Sequence, residues 1–123
     1  MLGQAPIMAF VASTDLERSE VFYRGALGLT VEEINQFACV LRGGGTMLRV
    51  TLVESLTPHP FTVLGWSVTD IAGTIDALTA NGVTFRRYDG MGQDERGIWT
   101  APSGGRIAWF NDPDDNVLSL TEF

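Results

Sequence analysis

The chain is poor in the residues that build disulfides, metal centres and basic surfaces. Among 123 residues it has one cysteine, Cys39, and one histidine, His59. A single cysteine excludes an internal disulfide framework. Eight basic residues stand against fifteen acidic ones, which gives a net charge of −7. That balance disfavours binding to nucleic acid or to an anionic membrane, because both contacts need a basic footprint.

The N-terminal residues lack the features of a targeting segment. Residues 1–13 are partly apolar, but they carry no basic n-region and Pro6 interrupts them. We therefore expect neither a signal peptide nor a membrane span, and a cytoplasmic location fits best. The apolar content of 45% is enough for a hydrophobic core, and a chain of this length is most simply a single domain, 1–123.

An internal duplication is the main feature that the sequence does have. One copy covers about 6–54 and the other about 61–122, with a short proline-containing link at 55–60. Each copy opens with an apolar strand that ends in Thr-Asp-aliphatic, at 14–16 and at 69–71. A helix follows in each copy, and the spacing of Thr14 and Glu17 predicts a capping box at the start of the first.

Short strands follow each helix. Both helices are predicted to stop at a glycine, Gly28 or Gly82. Glycine-rich turns at 43–45 and 103–105 are interpreted as matching hairpin turns. Each copy is interpreted as βαβββ. The predicted strands are at 7–13, 30–34, 37–42 and 46–53 in the first copy. In the second they are at 63–68, 83–88, 97–101, 106–111 and 116–121, which is one more than the pattern contains.

The order of these motifs resembles the vicinal-oxygen-chelate superfamily, which contains glyoxalases, bleomycin resistance proteins and dioxygenases. The resemblance covers nearly the whole chain and rests on residues 15–29, on Asn81-Gly82-Val83, and on the segments 97–102 and 109–120. It implies an α+β fold in which two βαβββ modules with curled mixed sheets enclose a central cleft. It also implies a homodimer, since proteins of this type commonly pair.

The resemblance also indicates where a metal would bind in related proteins. Metal-dependent members place imidazole and carboxylate ligands at cleft-facing positions that match Met8, Arg49, Val63 and Ser119. Such ions need those donors, whereas valine has no lone pair and arginine is a permanent cation. We therefore expect no metal centre of the family type and no cofactor.

The same positions predict a binding cleft. Arg49 would clamp a carboxylate, phosphate or enolate, because a lone desolvated charge is costly; an internal ion pair is the alternative. Trp99 and Trp109 would form aromatic walls, unless they pack in the core or in a dimer interface. The remaining lining positions would be Met8, Val63 and Ser119. The prediction is a metal-independent protein that binds a partly aromatic or anionic small molecule, similar to the bleomycin-resistance branch.

Two other functions stay open. One is a divergent or metal-free enzyme of lyase or isomerase type, with Arg49 as electrostatic stabiliser and a carboxylate such as Glu54 or Glu122 as base. No catalytic residue is identified for it. The other is a non-catalytic protein-interaction module. Cys39 is predicted to be a buried, inert thiol, and residues 88–96 are either a mobile lid or an ordinary exposed loop.

Overall fold

Eight strands form two four-stranded sheets, one in each half of the chain. The computed structural model describes residues 1–123, which divide into two units, Met1–Thr57 and Pro58–Phe123. Each unit is described by itself. None of the helices is long and apolar enough to cross a membrane.

The first unit is a βαβββ module with a mixed sheet. Its strands lie in the order β1-β4-β3-β2, with β1 parallel to β4 and the other pairs antiparallel. A 3-10 turn at Leu2–Gln4 precedes the sheet. The elements are β1 (Met8–Ser13), α1 (Leu16–Glu20, continued by the π-helical segment Val21–Ala26), β2 (Thr30–Ile34), β3 (Ala38–Gly43) and β4 (Thr46–Leu52).

The second unit repeats this plan. Its strands lie in the order β5-β8-β7-β6, again with one parallel pair, β5 and β8. The elements are β5 (Thr62–Ser67), α2 (Ile71–Ala80), β6 (Trp99–Thr100), β7 (Arg106–Asn111) and β8 (Val117–Glu122). The predicted α+β class and the two βαβββ modules are confirmed.

Strand alternation places the apolar core of each unit on the helix side of its sheet. In the first unit Leu48 and Val50 of β4 are buried and alternate with half-buried Met47, Arg49 and Thr51. In the second, β8 places the buried Leu118 and Leu120 beside Leu64 and Trp66 of β5. Alternation in the sequence also predicts Ile7 and Leu52 on the helix side. Ile7 is instead 79% exposed, because β1 begins only at Met8, and Leu52, at the end of β4, is 42% exposed.

Both helices begin at an aspartate rather than at a threonine. The Asp15 carboxylate accepts a hydrogen bond from the Arg18 backbone N–H at 3.1 Å, and Asp70 accepts one from Gly73 N–H at the same distance. The capping box predicted from Thr14 and Glu17 is therefore wrong by one residue. An ionised aspartate at this position also interacts favourably with the positive end of the helix dipole.

The predicted strand at 83–88 does not form a ladder. Only Phe85 bridges to Phe110 of β7, with a further bond from Arg86 N–H to the Trp109 carbonyl at 2.7 Å. Farther along, Trp99 and Thr100 pair with the opposite end of β7. Two separate segments thus share one edge of β7, and the chain leaves the sheet between them.

The turn predicted at 103–105 is not the equivalent of the glycine turn in the first unit. Gly44 and Gly45 connect β3 to β4, and in the second unit the equivalent connection between β7 and β8 is the turn at 112–116. The turn at 103–105 connects β6 to β7 instead. In the β7–β8 turn the buried Asp112 carboxylate accepts bonds from the backbone N–H groups of Asp114 and Asn116, both at 2.9 Å. These hydrogen bonds shape the β7–β8 turn, which has no glycine like Gly44 and Gly45 of the β3–β4 turn.

Candidate functional site

The helix-free face of the second sheet carries the aromatic residues that the sequence singled out. Phe110 and Leu118 point to the helix side and are buried. Trp109 and Ser119, their neighbours along β7 and β8, are directly opposite each other on the other face. This face also includes Trp99, whose partner in the ladder is Ile107.

Three rings lie in contact on this face and form what we call the aromatic cluster: Trp99, Trp109 and Tyr88. The two indole rings lie 6.2 Å apart between centroids and are tilted by 37°. The Tyr88 ring meets Trp109 edge to face at 5.5 Å and 90°. All three side chains are half-buried. Offset and edge-to-face contacts of this kind hold rings in fixed positions and still leave ring surface for a ligand.

Arg86 adds a positive charge beside the aromatic cluster. Its guanidinium carbon lies 5.0 Å from the centre of the Tyr88 ring, a cation–π distance. One guanidinium N–H donates a hydrogen bond to the Asn111 side-chain oxygen at 3.1 Å. Asn111 in turn donates to Asp115 at 3.4 Å. Arg86, Tyr88 and Asn111 were not predicted as site residues, because the segment 83–88 is short and pairs with the sheet at a single bridge.

Ser119 lies against the backbone of β5. It is opposite Gly65 in the parallel ladder and is 8% exposed. A Cβ atom at Gly65 would meet the Ser119 hydroxyl at 2.7 Å and the Ser119 carbonyl at 3.3 Å, so a side chain at this position would displace the Ser119 hydroxyl. Val63, two residues earlier, lies where the register of β5 shifts and is 39% exposed. The structure therefore brings Trp99, Trp109 and Ser119 onto one surface, with Val63 at the start of the neighbouring strand.

Several side-chain hydrogen bonds hold the loop at 88–96, and Gln93 makes three of them. Its amide oxygen accepts a bond from Tyr88 N–H at 2.6 Å, and its amide nitrogen donates to the carbonyls of Arg86 and Gly97 at 3.0 and 2.8 Å. Arg87 donates to the carbonyl of Asp94 at 2.8 Å. These bonds favour a fixed loop over a mobile lid, and they attach Tyr88 to the sheet.

The helix-free face of the first sheet carries the other two predicted residues. Arg49 of β4 is opposite Phe10 of β1, and Met8 lies two residues earlier on β1. Phe10 and Met8 are 60% and 46% exposed. Val40 of β3 adjoins Arg49 on its other side. Arg49 therefore projects among apolar side chains, which makes its charge more costly to leave without a partner.

The two half-buried arginines without a carboxylate partner are Arg49 and Arg86. Arg49 forms no hydrogen bond or salt bridge, and Arg86 donates only to the neutral Asn111 side chain. Four other arginines pair with carboxylates: Arg24 with Glu20, Arg42 with Glu32, Arg96 with Asp76 and Arg106 with Glu122. The internal ion pair considered for Arg49 does not form, and each unit retains one guanidinium that can accept an anion.

The residues at the family's metal positions do not fit a divalent ion. Met8, Arg49, Val63 and Ser119 offer no imidazole and no carboxylate, the donors such ions require. Elsewhere in the chain no group of three or more His, Cys, Asp or Glu side chains is placed to hold a metal.

The two carboxylates considered as a catalytic base are those of Glu54 and Glu122. Glu122 accepts a bond from Ile71 N–H at the start of α2 at 2.9 Å and pairs with Arg106 at 3.3 Å. It is thereby a structural residue, while Glu54 is exposed beyond the end of β4. Burial, with a smaller contribution from Glu20, raises the pKa of the fully buried Cys39 thiol. That shift opposes thiolate formation.

The comparisons with known proteins support one family. The sequence matches the Glyoxalase/Bleomycin resistance protein/Dioxygenase superfamily over residues 5–120. No curated protein matches the sequence at a significant level. Solved structures of the same architecture are numerous.

Three of these structures illustrate the similarity. A glyoxalase/bleomycin resistance protein/dioxygenase from Alicyclobacillus acidocaldarius has a TM-score of 0.76 at 15% identity, over 98% of this chain and 92% of its own. A superfamily member from Sphaerobacter thermophilus gives 0.73 at 25%, over 96% of both chains. A lactoylglutathione lyase from Agrobacterium tumefaciens gives 0.69 at 17%, over 97% and 93%.

The fold and the sequence match define the class. The chain is a two-module α+β protein with open mixed sheets, an architecture shared with these structures. It belongs to the Glyoxalase/Bleomycin resistance protein/Dioxygenase superfamily.

Proposed function

We propose that this chain is a binding protein for a partly aromatic or anionic small molecule, which it holds without a family-type metal. The observation that carries the proposal is the aromatic cluster on the helix-free face of the second sheet, with Ser119 beside it. A planar ligand would lie against Trp99 and Trp109, since stacked rings gain both buried area and favourable ring contacts.

Arg49 supports the anionic part of the proposal. A guanidinium among Met8, Phe10 and Val40 loses hydration without gaining a carboxylate. An anion would recover that cost, because charge-assisted hydrogen bonds are about twice as strong as neutral ones. Met8 and Val63 would supply apolar contacts.

The proposal is tested by intrinsic fluorescence and thermal shift. Trp66 lies on the helix side and stacks on Phe110, so a Trp66→Phe protein reports only on Trp99 and Trp109. We would screen this variant against aromatic antibiotics and acidic metabolites. A ligand should raise the melting temperature and quench the remaining fluorescence.

The matched comparison is Trp109→Ala against Trp66→Phe. Loss of the Trp109 contact should weaken binding about tenfold, while Trp66→Phe should leave the affinity unchanged. A screen without any hit, or a hit whose affinity is the same in Trp109→Ala, would refute the proposal.

Neither alternative function has a specific observation in its favour. The enzyme hypothesis needs a free base near Arg49, and Glu122 is engaged at α2 and Arg106. Homodimer formation and a cytoplasmic location stay predictions. Elution as a monomer in size-exclusion chromatography at micromolar concentration would contradict the first.

A further inference from the structure

The side chain and the backbone of Arg86 are both held in position beside the aromatic cluster. Asn111 holds one of its nitrogens at 3.1 Å, and the Tyr88 ring lies 5.0 Å from its guanidinium carbon. The backbone is fixed as well, because Arg86 N–H donates to the Trp109 carbonyl at 2.7 Å and its carbonyl accepts from Gln93. A guanidinium has five N–H donors, and only one of these makes a bond to the protein.

The charge of Arg86 is not neutralised within its surroundings. The nearest acid along the network is Asp115, which is separated from Arg86 by the Asn111 side chain. The neighbouring Arg87 differs, since it is exposed and donates to three loop carbonyls. Arg86 is therefore half-buried, oriented and without an anionic partner, a combination in which an incoming carboxylate meets little reorganisation cost.

The position of Tyr88 limits what a ligand can look like. The Tyr88 ring has Arg86 over one face and makes a T-shaped contact with the Trp109 indole, with the two ring planes at 90°. A ligand ring therefore cannot take that face of Tyr88, and the half-buried Trp109 offers the adjacent aromatic surface. A ligand could place its acid group on Arg86 and its aromatic ring on Trp109 only if these two groups are close together in the ligand.

We propose that Arg86 binds the acid group of an aryl carboxylate whose ring lies against Trp109. The inference rests on the proposed function and specifies the ligand class and a residue for it. The planar guanidinium matches a carboxylate in a two-point hydrogen-bonded pair. Arg86 and Trp109 both contact the Tyr88 ring, at 5.0 and 5.5 Å, which favours compact acids such as benzoates, phenylacetates and cinnamates.

The test compares each acid with its neutral amide. Benzoate, phenylacetate and cinnamate would be titrated against the Trp66→Phe protein beside benzamide, phenylacetamide and cinnamamide. At least one acid should bind about tenfold more tightly than its amide. Arg86→Gln should abolish this preference, and Arg86→Lys should retain part of it. Arg24→Gln, at an exposed arginine that pairs with Glu20, should leave it unchanged. Arg49→Gln reports on the anion site proposed for the first sheet, and circular dichroism would establish that each variant is folded.

The outcomes separate the two proposals. If acid and amide bind equally to the parent protein, or if Arg86→Gln keeps the tenfold preference, the role of Arg86 is refuted while small-molecule binding stands. A preference lost in Arg49→Gln and kept in Arg86→Gln would assign the anion to the first sheet. If no member of the panel binds, both the ligand class and this inference fail.

Discussion

Gln93 allows the sharpest test of how the site is held together. Its amide makes three hydrogen bonds to backbone groups, to Tyr88 N–H and to the carbonyls of Arg86 and Gly97. Truncation to alanine leaves all three groups without that partner. A protein hydrogen bond contributes a net 0.5–1.5 kcal/mol, and water replaces part of each in a half-buried loop, so we expect Gln93→Ala to lower the free energy of unfolding by about 2 kcal/mol.

A second substitution separates the acceptor from the donors. Gln93→Glu keeps the oxygen that binds Tyr88 N–H but replaces the donating nitrogen with an oxygen, which faces two carbonyls at close range. It should destabilise the protein at neutral pH at least as much as Gln93→Ala, because it adds repulsion to the lost bonds.

The assays are urea unfolding and native-state hydrogen exchange. Gln36→Ala is the matched control, since Gln36 is exposed in the β2–β3 turn and should change stability by less than about 0.5 kcal/mol. If the loop opens independently of the sheet, the cost appears as faster exchange of the Tyr88 amide rather than as a lower unfolding midpoint. The reasoning is refuted if Gln93→Ala matches Gln36→Ala in both measurements.

Three further predictions concern caps, the thiol and pH. Asp70→Ala should cost about 1 kcal/mol through loss of the α2 N-cap, measured by urea unfolding against Asp89→Ala in an exposed loop position. Cys39 should react with a thiol reagent only after denaturation, and rapid labelling of the folded protein would contradict its burial. The hydrogen bond from Arg96 holds the pKa of Asp76 below its ordinary 3.8, so the pair stabilises the fold above that pH and less as the pH falls through the lowered pKa. The stability of wild type relative to Asp76→Asn should therefore decline below pH 3.8, and a constant difference would exclude the effect.

The fold was predictable from the sequence because local signals and topology agree. The Thr-Asp-aliphatic motif marks the start of both helices, and alternation on β4 identifies the core face. Details that depend on competition between neighbouring residues were not predictable. Thr14 and Asp15 are both good caps, and only the three-dimensional chain path shows that Asp15 reaches Arg18 N–H.

The site was predictable only in part. The strand pattern indicates that Trp99 and Trp109 are on adjacent strands, and they are in contact. It does not indicate that Tyr88 and Arg86 join them, because the segment 83–88 pairs at a single bridge and its pattern is too short to set its faces. The partner of a charged side chain is a tertiary property, so the contrast between paired Arg106 and unpaired Arg49 needed the structure.

The divided edge of β7 makes the second module a place where the chain can be lengthened. In the ladder Phe85 and Trp99 flank the same strand at its two ends, and thirteen residues separate them in sequence. Residues 89–92, between Tyr88 and Gln93, make no ladder bond to β7 or β8, so a change of length there leaves the register of both strands intact. A designer could therefore exchange residues 89–92, with Gln93 kept, to present new groups beside the tryptophans. The first module, whose β2–β3 connection is only a few residues long, offers no such insertion point.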